Sequence, residues 1–235
     1  MRLGLIVIDS LDEHLHQLGG DYPERFRRLF GAAGAEIECF EGRTAPLPDP
    51  STCDGWIIPG SRQSVYDDLP WIEALEAWAL QVMAADIPLI GVCFGHQLIA
   101  RALGASVAKA DGGWNIGAID YAVAPEAEEL GWLDGRMGGG FRLLASHQDQ
   151  VLELPDGARL LASAPTCPIA AYSIGERVLC VQGHPEFDPG VVAPLYEGRR
   201  ERVGTEVVDA ALATLDRPLD NERVARLLTS VVAPG

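Results

Sequence analysis

Two continuous apolar runs constrain this chain more than any other feature. Residues 3–8 and 88–92 lack polar alternation and include β-branched side chains. Such short runs read as strands covered on both faces, the situation of a parallel sheet. Residues 37–40 and 55–58 read as two more short strands. Helical patterns lie between them. Asp21, Pro23 and Glu24 supply an N-cap, a first-turn proline and a capping-box acid. Phe26, Leu29, Phe30 and Ala33 follow at helical spacing, and Gly34 ends the helix. A second helix is predicted over residues 71–84, with Ile72, Leu75, Ala79 and Val82 on one stripe. A third is predicted over 94–103, closed by Gly104. Strands alternating with helices imply an α/β fold with a mainly parallel sheet.

From residue 115 the pattern changes. Residues 119–123, 141–145, 159–162, 169–172 and 178–181 read as strands without long helices between them. The stretch from residue 189 is helical again, through 207–215 and 222–231. No repeat, low-complexity block or linker interrupts it. One domain over residues 1–235 is expected, with a core to about 190 and a helical tail after it. The expected architecture is a three-layer α/β sandwich around a mixed, mostly parallel sheet.

Composition narrows the function. With 235 residues the chain can bury a sizeable core. Thirty-four acids against 18 bases give a net charge of −16. That disfavours nucleic-acid backbones and anionic membrane surfaces as partners. Lys109 is the sole lysine; every other base is arginine. No apolar run approaches the roughly 18 residues of a membrane span. The apolar N-terminal stretch is too short for a signal peptide, so the cytoplasm is the expected compartment. Five irregularly spaced cysteines argue against a disulfide framework.

The chemistry concentrates at Gly91-Val92-Cys93-Phe94-Gly95, where a buried strand meets a helix. Gly-x-Cys-x-Gly at such a junction has the form of a nucleophile elbow with cysteine as the nucleophile. A sharp turn strains the nucleophile's backbone, and glycines on either side relieve crowding. The helix N-terminus favours a thiolate there. The Phe94 amide is placed toward a developing oxyanion. A buried structural cysteine is the competing reading, weakened by the polar His96 and Gln97 in the first helical turn.

A thiolate nucleophile requires a base, and the base an orienter. His14 and His16 read as a polar loop with no acid or cysteine cluster at ligand spacing around them, so no metal is expected. His184, in Gln182-Gly183-His184-Pro185-Glu186-Phe187, directly follows the strand at 178–181. Strand carboxyl ends gather on one edge of a parallel sheet, which places His184 near Cys93. Pro185 keeps the chain extended, so His184 and Glu186 project the same way. The alternative is a strand-end histidine merely bonded to a neighbouring carboxylate.

Gly91-Val92-Cys93-Phe94-Gly95-His96-Gln97 and Gly183-His184-Pro185-Glu186 resemble the two signatures of class I glutamine amidotransferases. Ser146-His147-Gln148-Asp149-Gln150-Val151 is similar to a segment of the GMP synthase glutaminase domain. Residues 59–68 are similar to the oxyanion-strand loop of stand-alone, GMP-synthase-like members. The resemblance spans roughly residues 1–190 and implies a flavodoxin-like fold. It implies Cys93 as nucleophile, His184 as general base and acid, and Glu186 as orienter. It implies oxyanion donors at the backbone of Ser61, beside Gly60, and of Phe94. It further implies substrate contacts from Gly60, Gln97, Ser146, His147 and Gln148, with His147 a substrate-loop residue and not a second base.

Two positions depart from the family pattern. The usual Gly-Gly-Pro is Gly60-Ser61-Arg62 here, and the frequent Glu-Ile-Gly is Asn115-Ile116-Gly117. Arg62 is expected at the pocket mouth, either binding the carboxylate of a longer substrate or standing solvated. No pyrophosphatase signature and no P-loop is found, so no ATP-using synthetase half and no cofactor are expected. The resemblance implies hydrolysis of glutamine through a cysteine γ-glutamyl thioester, with ammonia passed to a separate synthetase subunit. A self-sufficient γ-glutamyl peptidase is the alternative, and a non-catalytic regulatory protein the third.

Overall fold

The computed structural model describes residues 1–44, 46–133 and 136–232. The strands are β1 (Arg2–Val7), β2 (Glu36–Glu41), β3 (Gly55–Ile58), β4 (Leu89–Val92), β5 (Val107–Lys109), β6 (Asn115–Val123), β7 (Phe141–His147), β8 (Asp149–Val151), β9 (Ala158–Ala164), β10 (Cys167–Ile174) and β11 (Val178–Val181). The helices are α1 (Glu13–His16), α2 (Tyr22–Ala32), α3 (Pro70–Ala84), α4 (Phe94–Ala102), α5 (Pro125–Glu128), α6 (Pro189–Glu197), α7 (Arg200–Val203), α8 (Thr205–Leu212) and α9 (Asn221–Thr229).

One sheet runs in the order β2-β1-β3-β4-β11-β10-β9-β6-β7. The first five are parallel neighbours, and β10, β9, β6 and β7 continue antiparallel. The alternation of side chains in the parallel strands divides them between two cores. Leu3, Leu5, Ile57, Ile90, Val92, Leu179 and Val181 pack on the side of α2, α6, α8 and α9. Ile6, Trp56, Ile58, Leu89, Val178 and Cys180 pack on the side of α3 and α4. This is the three-layer arrangement expected. Leu195, Tyr196, Val208, Val224 and Leu228 of the helical tail are buried in the first of these cores. No helix among the described residues is long and apolar enough to cross a membrane.

Local signals account for most boundaries. Asp21 caps α2 with Glu24 in a reciprocal capping box, and Pro23 sits in the first turn. Asp188 caps α6 by accepting from Val191 N at 3.2 Å. The same carboxylate takes 2.7 Å from Nη1 of the fully buried Arg25. Arg25 also donates to the carbonyls of Gly20 and Leu18, so one guanidinium ties the loop before α2 to the turn after Glu186.

The structure departs from the sequence reading in identifiable places. β6 starts at Asn115, earlier than the expected 119, because Gly117 hid the strand. Its φ of +99° and its close approach to α8 both exclude a side chain: a Cβ there would stand 2.8 Å from Thr214 Oγ1. β5 and β8 form a separate antiparallel pair, too short and polar to be read from pattern alone. His14 and His16 lie on the single turn of α1 and not in a loop, and His16 Nε2 lies 2.8 Å from the Leu11 carbonyl.

Candidate active site

Adjacent parallel strands β3, β4 and β11 end on one edge, and the expected site groups follow these ends directly. Val92 pairs with Val181 in register, and Cys93 N donates to the Val181 carbonyl at 2.9 Å. Gly60 follows β3 on the other side of β4. A Cβ on Gly60 would lie 2.8 Å from His184 Cε1 and 3.7 Å from Cys93 Cβ. The three segments therefore converge within van der Waals reach.

Cys93 has φ 51° and ψ −99°. It is one of two non-glycine residues with positive φ among the described residues, the other being Asp86. Such strain persists only where surrounding structure imposes it. Here the glycines of the elbow make it possible. A Cβ on Gly91 would stand 2.8 Å from the Gly95 backbone, and one on Gly95 would stand 2.1 Å from the Ile58 carbonyl oxygen. The thiol stands at the mouth of α4, as expected.

His184 donates from Nδ1 to Glu186 Oε1 at 2.7 Å, and both side chains are buried. The Phe187 ring stacks on the imidazole at 4.2 Å between centroids. His184 N donates to Leu144 O at 2.8 Å, which anchors the backbone to β7. Burial pushes the His184 imidazole down, but the Cys93 sulfur and the Glu186 carboxylate outweigh it and carry the group well above its ordinary range. The neighbouring sulfur and carboxylate thus favour the protonated imidazole.

The remaining expected residues separate into two groups. Gln97 lines the cleft, yet both its Nε2 protons are taken, by Asp149 O at 2.8 Å and Gln182 Oε1 at 3.0 Å. It braces the floor, and only its carbonyl oxygen is left for a ligand. Ser146, His147 and Gln148 line the same cleft, but Ser146 and His147 belong to β7 and not to a loop. His147 is buried with Nδ1 3.1 Å from the Asp149 carbonyl and Nε2 3.3 Å from Asn115 Nδ2. These partners fix a neutral tautomer protonated on Nδ1. His96 turns away from the cleft into the second core, where it packs on Tyr172 with ring centroids 4.8 Å apart.

Two acids that sequence reasoning did not assign hold the loop carrying the expected oxyanion amide. Asp9 accepts from Arg62 N at 2.6 Å and Ser61 Oγ at 3.3 Å. Asp149 accepts from Ser64 Oγ at 2.5 Å and Tyr66 OH at 2.9 Å. Gly60-Ser61-Arg62 is thus a pinned loop in which the serine hydroxyl and the arginine amide share Asp9. Arg62 is accounted for as well. Its guanidinium pairs with Asp9 and Asp12 and donates to the Ser10 carbonyl at 2.6 Å. It is a half-exposed loop arginine already paired with two aspartates, and not a free anion receptor. The cleft has a volume of about 760 Å³ and reaches from Cys93 and His184 to Lys109, Trp114, Arg199 and Arg202.

Two buried histidines give the protein a defined acid response. Burial drives His96 and His147 from an ordinary 6.5 down to about 3. Between those values the unfolded chain binds protons that the folded chain does not, so stability falls as pH falls through that window. Each histidine contributes at most about 1.4 kcal/mol per pH unit. Urea unfolding from pH 6.5 to 5 should show this loss, and His147→Gln should make the slope shallower by one proton. An unchanged slope would mean that His147 is charged in the folded protein.

The model of the family described as glutamine amidotransferase class-I matches residues 18–196. Gamma-glutamyl peptidase 3 of Arabidopsis thaliana is 29% identical over 92% of this chain and 89% of its own length. Gamma-glutamyl peptidase 4 of the same plant is 34% identical over 76% of this chain and 72% of its own. The glutamine-hydrolysing GMP synthase of Aeropyrum pernix is 30% identical over 97% of this chain but 40% of its own length. Among solved structures, a glutamine amidotransferase from Thermotoga maritima superposes with a TM-score of 0.73 at 18% identity. That match covers 98% of this chain and 95% of the other.

Proposed function

Because the chain belongs to the class I glutamine amidotransferase family, a family of hydrolytic enzymes acting on the γ-glutamyl carbonyl, we propose that it cleaves γ-glutamyl amide bonds in small γ-glutamyl peptides. Glutamine is the smallest substrate of that class. Cys93 as thiolate attacks the γ-carbonyl carbon, and the oxyanion is held by the amides of Ser61 and Phe94. His184, oriented through Nδ1 by Glu186, gives its proton to the departing nitrogen, so an amine or ammonia leaves and a γ-glutamyl thioester remains. Water then loses a proton to His184 and attacks the thioester, releasing glutamate and the sulfur.

The observation that carries the choice of substrate is the size of the cleft. At about 760 Å³ it lies in the range that holds drug-sized ligands, more than one amino acid fills. The relatives named gamma-glutamyl peptidases, which this chain matches over most of their length, support the same reading. A second reading has glutamine as substrate and ammonia delivered to a separate synthetase subunit in the cytoplasm. The similarity to GMP synthases favours it.

Glutamate release by the purified chain from glutamine and from γ-glutamyl dipeptides separates the two. The expected result is a kcat/KM for a dipeptide at least about tenfold above that for glutamine, equivalent to about 1.4 kcal/mol of added transition-state binding. Turnover of glutamine with dipeptides left intact would favour the synthetase-linked reading.

A further inference from the structure

Arg199 lines the cleft, and the mechanism above leaves it unused. It sits between α6 and α7, and Nη1 donates to Ser146 Oγ at 2.7 Å. That hydroxyl is neutral, and among the described residues Arg199 has no carboxylate partner. Arg62 on the same cleft is paired with two aspartates. The carboxylates lining the cleft are Asp9, Asp12, Asp149 and Glu201. Asp9 and Asp12 serve Arg62, Asp149 serves Ser64 and Tyr66, and Glu201 reaches no arginine at ion-pair distance. Burial and the nearby Arg202 charge weaken the hold of Arg199 on its proton. Arg202 itself lies over the Trp114 ring, 4.7 Å from its centroid. A half-buried guanidinium beside a second cation, facing a cleft, without an anion of its own, lacks the counter-charge that such groups ordinarily have.

We propose that Arg199 is the carboxylate receptor of this cleft, closing its guanidinium fork on a carboxylate of the γ-glutamyl substrate beside Ser146. The inference rests on the γ-glutamyl hydrolase reading for the identity of the ligand, and on the arginine's surroundings for its chemistry. A guanidinium presents parallel N–H donors that match a carboxylate bidentately, and burial strengthens the pair. Two carboxylates meet the description: the α-carboxylate of the γ-glutamyl group and the C-terminal carboxylate of the leaving peptide. The contact with Ser146 sets Arg199 against the end of β7, next to His147. The rest of the cleft wall, with Trp114 and Arg202, is left for the leaving portion.

The test pairs substrates that differ only in one charge. Glutamine against glutamine α-amide reads the first carboxylate, and a γ-glutamyl dipeptide against its C-terminal amide reads the second. The wild type should favour the acid over the amide by about 10- to 100-fold in KM in one of the two pairs, with kcat little changed. Arg199→Met should erase that preference, and Arg199→Lys should restore part of it. The pair in which this happens identifies the carboxylate. Labelling of Cys93 by a diazo-ketone analogue of glutamine, compared with the α-amide of that analogue, repeats the first comparison without turnover. Discrimination in labelling without hydrolysis of any substrate would sink the hydrolase reading and leave the receptor standing. Wild-type indifference to both charges would overturn the receptor. So would a preference that survives in Arg199→Met, or an equal loss on acid and amide in that variant.

Discussion

Cys93→Ala should lower hydrolysis of glutamine and γ-glutamyl peptides by about 10⁴-fold or more, since a nucleophile removed from a coupled relay takes nearly all of the relay's contribution with it. The fold should survive, because alanine keeps the Cβ and removes a single atom at the edge of the first core. Cys93→Gly sharpens the expectation. It should be equally inactive yet more stable than the wild type by about 1 kcal/mol, because glycine occupies φ 51° without strain. A diazo-ketone analogue of glutamine should label Cys93 and spare the other four cysteines. Burial pushes the Cys167 and Cys180 thiols up to about 12 and raises those of Cys39 and Cys53. None of the four is therefore a competitive thiolate at neutral pH. Peptide mapping decides the matter: substantial label on any of those four, or residual turnover in Cys93→Ala above a hundredth of the wild type, would remove Cys93 from the nucleophile's place.

Gly95→Ala should cost about 3 kcal/mol or more and with it most of the activity. The added Cβ would lie 2.1 Å from the Ile58 carbonyl oxygen and 2.8 Å from its carbon. Both are backbone atoms at the end of β3, so no side chain can swing aside. Gly95 N also donates to the Pro59 carbonyl at 3.1 Å, so the clash forces apart a hydrogen-bonded contact. Overpacking a rigid core typically costs 1–3 kcal/mol, and a backbone collision belongs at or beyond the upper end. Gly31→Ala in α2 is the opposite case. Nothing lies within 4 Å of its Cβ position, so alanine should stabilise by up to about 1 kcal/mol through helix propensity. Urea unfolding of the two variants should move in opposite directions from the wild type. A Gly95→Ala protein within 1 kcal/mol of the wild type would show that the elbow tolerates the displacement.

The proposed Cys93, His184 and Glu186 set was legible because each group lies within a few residues of a strand end. In a parallel sheet the neighbourhood of strand ends follows from chain order alone. The alternation of Leu5 with Ile6, and of Ile57 with Ile58, likewise announces strands buried on both faces. What escaped the sequence depends on partners far apart in the chain. Asp9 reads as an ordinary acid after β1 until Ser61 and Arg62 arrive from 52 and 53 residues away. Asp149 holds Ser64 across 85 residues. His96 was misleading for the same reason. A polar residue in a helix's first turn can face the cleft or the core, and only the position of Tyr172 decides. Arg199 lies beyond the stretch that carries the motifs, where spacing gives no hint that the chain folds back over Ser146.

Lys109 stands exposed at the end of β5, on the wall of the cleft, and it is the sole lysine of the sequence. Its isolation makes it an attachment point. Amine-directed reagents have one side-chain target here, besides the terminal amine. A fluorophore coupled there would sit at the rim of the cleft, on the residue paired across the strands with Asp149. Its emission would follow what enters and leaves the cleft in real time, in a molecule whose abundant arginines remain untouched by the coupling.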